Sequence, residues 1–209
     1  MATYPARKRR TRSDGERSYR TILDTAARLA TIEGLDGLSI GRLAGEIGMS
    51  KSGLYAHFDS KEELQLATVA AAEELFTAEV VTPGMEAPEG LERLEALCRG
   101  YLSYVGRGVF PGGCFFASTA AEWDTRKGPI RDRVRAILAG WTDLLQANVA
   151  AAQERGQLAQ EVDGGQLTFE LTALLHEANG QYLLFRDAAA LERAQTAVDE
   201  RLRISAARR

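Results

Sequence analysis

The stretch that decides the fold runs from Leu38 to Leu64, LSIGRLAGEIGMSKSGLYAHFDSKEEL. It reads as two short helices joined by a tight turn. Ser39 is a suitable N-cap for the first, because its hydroxyl can accept one of the free backbone N–H groups of the opening turn. Ile40, Leu43, Ala44 and Ile47 recur at helical spacing, and Ala44 is small where two crossing helices must approach closely. Gly48 can take the left-handed conformation that ends a helix and begins a turn. Ser50 then caps a second helix, whose Leu54 and Phe58 point back to the core at i and i+4. Together these features spell a helix-turn-helix, the motif whose second helix lies in the major groove of DNA.

The outward side of that second helix suits such a role. Lys51, Ser52, Tyr55 and His57 can reach phosphate oxygens or base edges, and Gly53 lets the backbone come close to a duplex. Here the chain closely resembles the tetracycline-repressor (TetR) family of transcription regulators. Ser39, Leu43, Ala44, Gly48, Met49, Ser50, Ser52, Leu54, Tyr55, His57, Phe58, Ser60, Lys61 and Leu64 follow its signature in register and without a gap. The resemblance implies an all-α chain, with a three-helix head and a helical body for ligand binding and dimerisation. It also implies that Tyr55, His57 and Lys61 hold phosphates. By position, Arg42, Lys51 and Ser52 are the candidates for base edges. Ser39 is both a cap and a candidate phosphate contact at a helix N-terminus.

Working outward, residues 19–33 form an amphipathic helix with Ile22, Leu23, Ala26, Ala27, Leu29 and Ala30 on its apolar face, ended by Gly34. Ser60 and Glu63 make a capping box for a helix running to about Val81, where Thr82-Pro83-Gly84 is expected to break it. Further helices are expected from Pro88 to about Gly106, Cys114 to Trp123, Pro129 to about Arg155, Asp163 to Phe185 and Ala189 to Ile204. No convincing strand pattern interrupts them. The expected architecture is all-α with about nine helices, divided into a basic flexible arm (1–15), the DNA-binding head (16–62) and the body (63–209).

Charge divides the chain in the same place. Up to Lys61 there are eleven Lys or Arg against seven Asp or Glu, about +4, whereas the remainder carries about −7. A basic head on an acidic body is the footprint of a DNA-binding module joined to one with another task. The run Arg7-Lys8-Arg9-Arg10, with Arg12, reads equally as a phosphate-tracking arm and as a solubilising tail. No apolar run approaches the ~20 residues of a membrane span, and no secretory signal is evident, so a cytoplasmic protein is expected. Two cysteines, Cys98 and Cys114, fit a reducing compartment. Metal, phosphate-loop and G-x-S-x-G signatures are missing from the sequence, and only His57 and His176 are histidines. The chain therefore reads as no enzyme, with no metal or cofactor.

One recognition helix selects a site poorly, whereas two on a palindrome multiply specificity. Leu171, Leu174, Leu175, Ala178 and Tyr182 on the penultimate helix, with Leu191, Val198 and Leu202 on the last, are candidates for a four-helix homodimer interface. Packing inside one chain would use the same residues. In the family the body holds an effector pocket. Candidate lining residues are Tyr101, Tyr104, Phe115, Phe116, Trp123, Trp141, His176 and Asn179, which would suit a small hydrophobic or aromatic ligand. The expected function is a homodimeric repressor, released from a palindromic double-stranded DNA operator by a small-molecule effector. Two alternatives stand beside it. One is a thiol sensor of electrophiles through Cys114, where a helix start after Gly112-Gly113 could lower the thiol pKa. The other is a ligand-independent activator or global regulator.

Overall fold

The computed structural model describes residues 12–207. Among them are nine helices and no strand. The head comprises α1 (Arg12–Glu33), α2 (Ile40–Ile47) and α3 (Lys51–Tyr55). The body begins with α4, which runs from Lys61–Phe76 through a π-turn at Thr77–Val81 into Thr82–Met85. It continues with α5 (Leu91–Gly106), α6 (Phe115–Trp123), α7 (Pro129–Glu154), α8 (Gly164–Phe185) and α9 (Ala189–Ile204). Helix α1 starts well ahead of the expected Tyr19, so part of the segment expected as an arm is helical. The run Arg7–Arg10 lies outside the described residues.

Local signals set most boundaries. Ser39 accepts from Arg42 N, Ser50 from Gly53 N, Ser60 from Glu63 N and Asp163 from Gln166 N. Each satisfies an N–H that has no partner within its helix. Gly48 ends α2 at φ 67°, and the Met49 N–H returns to Ala44 O at 2.9 Å.

The expected break at Thr82-Pro83-Gly84 is not there. Helix α4 widens into a π-turn just before Pro83, with Thr82 N–H bonded to Thr77 O. Widening accommodates a ring that would otherwise press on the preceding turn, so the helix continues past the proline. Gly84 is there for packing: a Cβ at this position would lie 2.5 Å from Leu97 Cδ2 on α5.

Head and body share one continuous apolar core. Ile22, Leu43, Leu54 and Phe58 are fully buried in the head, and Leu64 and Val69 on α4 carry the core into Leu94, Leu97, Phe115, Leu145 and Leu171 of the body. Burying a side chain of this size contributes roughly 1.5–3 kcal/mol each. The head is therefore fixed to the body by packing as well as by the chain.

Candidate nucleic-acid interface and body cavity

Lys51, Ser52 and Tyr55 occupy the outward side of α3, and Tyr55 is 58% exposed despite its ring. The hydroxyls of Ser50 and Ser52 lie 3.2 Å apart at the start of the helix. Gly53 is half-buried; a Cβ there would come within 3.2 Å of Ser50 Oγ, the capping atom. Gly41 has a related role, because a Cβ on it would press on Lys51 Cε at 3.1 Å. Both glycines thus leave room for the first turn of α3 and its lysine.

The other predicted DNA contacts are engaged within the protein. Arg42 bridges Glu33 at 2.9 Å and Glu46 at 2.5 Å, and both carboxylates hold its guanidinium more firmly protonated, Glu46 the more strongly. Lys61 pairs with Asp36 through its carboxylate at 3.3 Å and its carbonyl at 2.5 Å. His57 is half-buried, with its ring 6.2 Å from Tyr19 and its Nε2 shut off from solvent without a hydrogen-bond partner among the described residues. The expected outward imidazole is therefore turned inward, where the aromatic rings of Tyr19 and Phe58 pack beside it.

A second set of residues ties this head to the body, and sequence reading missed it. Both Glu122 oxygens, on α6, accept backbone N–H groups from the α1–α2 loop: Leu35 at 2.8 Å and Asp36 at 2.7 Å. Arg126 pairs with Asp36 at 3.0 Å, and its guanidinium lies 4.8 Å from the centre of the Trp123 ring. Arg126 and then Lys61 hold the Asp36 carboxyl below its usual range. From α4, Gln65 donates to Leu35 O at 2.8 Å. The loop is thereby fixed from two body helices at once.

Gly112 and Gly113 make a further junction. A Cβ on Gly112 would lie 1.9 Å from Thr31 O of α1, and one on Gly113, at φ 76°, would lie 2.3 Å from Asn179 Oδ1 of α8. Only glycine permits these two approaches. They bring Gly112 N–H to Thr31 Oγ1 at 3.1 Å and Cys114 N–H to Asn179 Oδ1 at 2.9 Å.

In the body, Tyr101, Phe116, Trp141 and His176 come together on one cavity of about 230 Å³. Phe76, Thr77 and Val81 of α4 form its other side, so the π-turn lies against the cavity. Phe76 sits at the centre of the aromatic cluster, edge-on to Tyr104, Phe116 and Trp141 at 5.3–5.9 Å. Glu73 and Arg133, both partly exposed, pair beside it. The remaining predicted lining residues are placed elsewhere. Tyr104 and Phe115 pack behind the wall, Asn179 is spent on Cys114 N–H, and Trp123 faces a separate, more open hollow of about 400 Å³ with Arg131, Val134 and Leu138. Phe76 and Glu73 carry no local signal that marks them as lining.

Cys114 lines the cavity but is only 2% exposed. Burial pushes its thiol pKa up, outweighing the backbone N–H groups of Ala117 and Phe116 that pull it down. The helix start therefore does not yield the activated thiolate expected of a sensor, because desolvation is the larger effect.

Of the eight residues read as a dimer interface, Leu171, Leu175, Ala178, Val198 and Leu202 are buried within the single chain, while Leu174, Tyr182 and Leu191 are partly buried. The large exposed apolar side chains on these helices are Phe169, Leu184, Phe185 and Ile204.

A head that presents a helix-turn-helix, clamped to a helical body with an aromatic-walled cavity, defines a helix-turn-helix DNA-binding regulator. Residues 22–68 match the family described as bacterial regulatory proteins, tetR family, and residues 90–198 match the tetracyclin repressor-like C-terminal domain. The chain belongs to the TetR family and is a non-enzymatic DNA-binding transcriptional regulator. No curated protein matches it by sequence. Among solved structures it is similar to a TetR transcriptional regulator from Chloroflexus aurantiacus J-10-fl, with 27% identity over 93% of this chain and 98% of that one, and a TM-score of 0.86. AibR, solved with isovaleryl coenzyme A and operator DNA, is 26% identical over 86% of this chain and 94% of its own, with a TM-score of 0.68. A TetR-family regulator from Cytophaga hutchinsonii shares the fold at 17% identity, with a TM-score of 0.80 over 97% of this chain and 100% of that one. Among the described residues no helix is long and apolar enough to cross a membrane, and no cluster of His, Cys, Asp or Glu could hold a metal.

Proposed function

We propose that the protein is a homodimeric repressor that occupies a palindromic operator through α3 and leaves it when a small hydrophobic or aromatic effector fills the body cavity. The observation that carries the reading is the double role of α4. Its first turns brace the head through Lys61 and Gln65, and its Phe76, Thr77 and Val81 wall the cavity. A ligand that favours one position of those wall residues acts on the same helix that sets the head. A coupling of about 1–3 kcal/mol would change operator affinity roughly five- to 150-fold. AibR, bound to both an acyl-coenzyme A and operator DNA, supports a division of labour of this kind.

Lys51, Ser52 and Tyr55 are assigned to the duplex from their exposure on α3. Ser39 and Gly53 shape the approach, and Arg42 and Lys61 join by exchanging carboxylate partners for DNA. His57 supports the helix from inside. Dimerisation is assigned to α8 and α9, using Phe169, Leu184 and Phe185 around the partly buried Leu174, Tyr182 and Leu191. Binding to a fluorescent duplex, followed as salt is raised, tests the DNA assignment. The affinity should fall steeply with salt, and a protein carrying both Lys51→Ala and Tyr55→Ala should bind far more weakly. Equal binding by that variant would contradict the role given to α3.

A further inference from the structure

The corner where head and body meet carries a charge arrangement that the helix-turn-helix alone does not explain. Asp36, in the α1–α2 loop, has a cation on each carboxylate oxygen. Lys61 Nζ lies 3.3 Å from Oδ1, and an Arg126 guanidinium nitrogen lies 3.0 Å from Oδ2. Lys61 also donates to the Asp36 carbonyl. Glu122 adds a second carboxylate, one oxygen of which accepts Asp36 N–H at 2.7 Å. Two acids are therefore balanced by two cations, Lys61 from the start of α4 and Arg126 from just beyond α6.

The two cations are not held alike. Arg126 is fixed within its own segment: its backbone N–H returns to Trp123 O at 3.2 Å, and its guanidinium lies over the Trp123 ring. Lys61 is half-exposed and carries a point charge on a flexible stem. Arg126 also acts on the Asp36 carboxyl more strongly than Lys61 does. Lys61 is thus the cation able to leave. Arg42 presents the opposite case, one cation between the carboxylates of Glu33 and Glu46.

Moving Lys61 from Asp36 to a DNA phosphate leaves two acids with one cation, Arg126. While Arg126 stays, Asp36 remains paired. Without Arg126, Lys61 would be the sole cation on Asp36, and drawing it away would leave two uncompensated carboxylates as the negative duplex approaches.

We propose that Arg126, a residue of the body, is a positioning residue for DNA binding: by holding Asp36 it releases Lys61 to a phosphate, and the proposal rests on reading Lys61 as a phosphate contact. Arg126 itself does not touch the duplex. Its effect is the same for every sequence, because a phosphate contact carries no sequence information.

Binding of the full chain to a fluorescent duplex of mixed sequence, followed as salt is raised, tests this with Arg126→Gln in two backgrounds. In the parent, Arg126→Gln should weaken binding about two- to fivefold, the range of exposed charge pairs, and flatten the salt slope towards that of Lys61→Met. Arg126→Lys keeps the charge and should recover most of the loss. In an Asp36→Asn protein Lys61 has no carboxylate to leave, so Arg126→Gln should change neither affinity nor slope. A loss of equal size in both backgrounds would mean that Arg126 acts other than through Asp36, and would overturn the proposal. Unchanged binding by Arg126→Gln in the parent, with Lys61→Met weakened, would overturn it as well and leave Arg126 a brace. Lys61→Met binding like the parent would instead remove the phosphate reading of Lys61, and the proposal with it.

Discussion

The carboxylate of Glu122 accepts the backbone N–H of Leu35 at 2.8 Å, joining the last turn of α6 to the loop that opens the helix-turn-helix. The second carboxylate oxygen takes Asp36 N–H. Gly34, at φ 82°, turns the chain so that both N–H groups face one side chain. Helix α6 has Phe116 on the cavity wall near its start and Glu122 near its end, so one short rod touches both the cavity and the head.

Replacing Glu122 with Ala should leave two backbone N–H groups without their partner. Leu35 is fully buried, so the loss should cost about 1–3 kcal/mol in denaturant unfolding. Glu122→Gln keeps one acceptor oxygen and should cost less. A Glu122→Ala protein as stable as its parent would show that the clamp contributes nothing.

Acid should weaken the body through His176. Burial lowers its folded-state pKa below the usual 6.5, so the folded form resists taking a proton. The resulting stability is complete above about pH 6.5 and is withdrawn as pH falls from there towards the lower folded-state value. A pH series of melting temperatures should fall across that window, and His176→Gln should flatten the fall. An identical profile in the variant would show that His176 is not the group responsible.

The two classes of DNA contact should separate on measurement. Lys61→Met should weaken binding to all duplexes alike and reduce the log–log salt slope by about one. Arg42→Ala should change which bases are preferred. An Arg42→Ala protein with the parent's preferences would place this residue outside base recognition, and its pairs with Glu33 and Glu46 would be its whole role.

Exposure distinguishes the dimer surface from the core. Leu184→Asp or Phe185→Asp should yield a folded monomer by light scattering, because both side chains are largely exposed in the single chain. Leu175→Asp should instead unfold the protein, since that side chain is fully buried. A Leu184→Asp, Phe185→Asp protein that remains a dimer would move the interface elsewhere.

The head was legible because its signals are local. Ser39, Ser50 and Ser60 there, like Asp163 in the body, each cap an N–H three residues away, and a one-dimensional reading finds such pairs. The last helix falls on its expected bounds, Ala189–Ile204, with Asp187 Oδ1 accepting the Ala189 N–H at its start. Contacts distant in sequence were hidden. Nothing near Glu122 marks Leu35 as its partner, and nothing near Asn179 marks Cys114. Pro83 misled because a proline signals a break, whereas the π-turn ahead of it lets the helix continue. Cys114 misled because a helix start argues for a reactive thiol and burial, invisible in sequence, argues more strongly against one. The periodic leucines of α8 and α9 could not reveal which face meets its own core and which meets a second copy.

Selection of bound duplexes from a random DNA pool by the purified full chain tests the central claim most directly. The account predicts enrichment of one inverted repeat, with half-sites about one helical turn apart and two protein chains or a multiple of two per site. Enrichment of a single unrepeated half-site bound by one chain, or no enrichment at all, would contradict it.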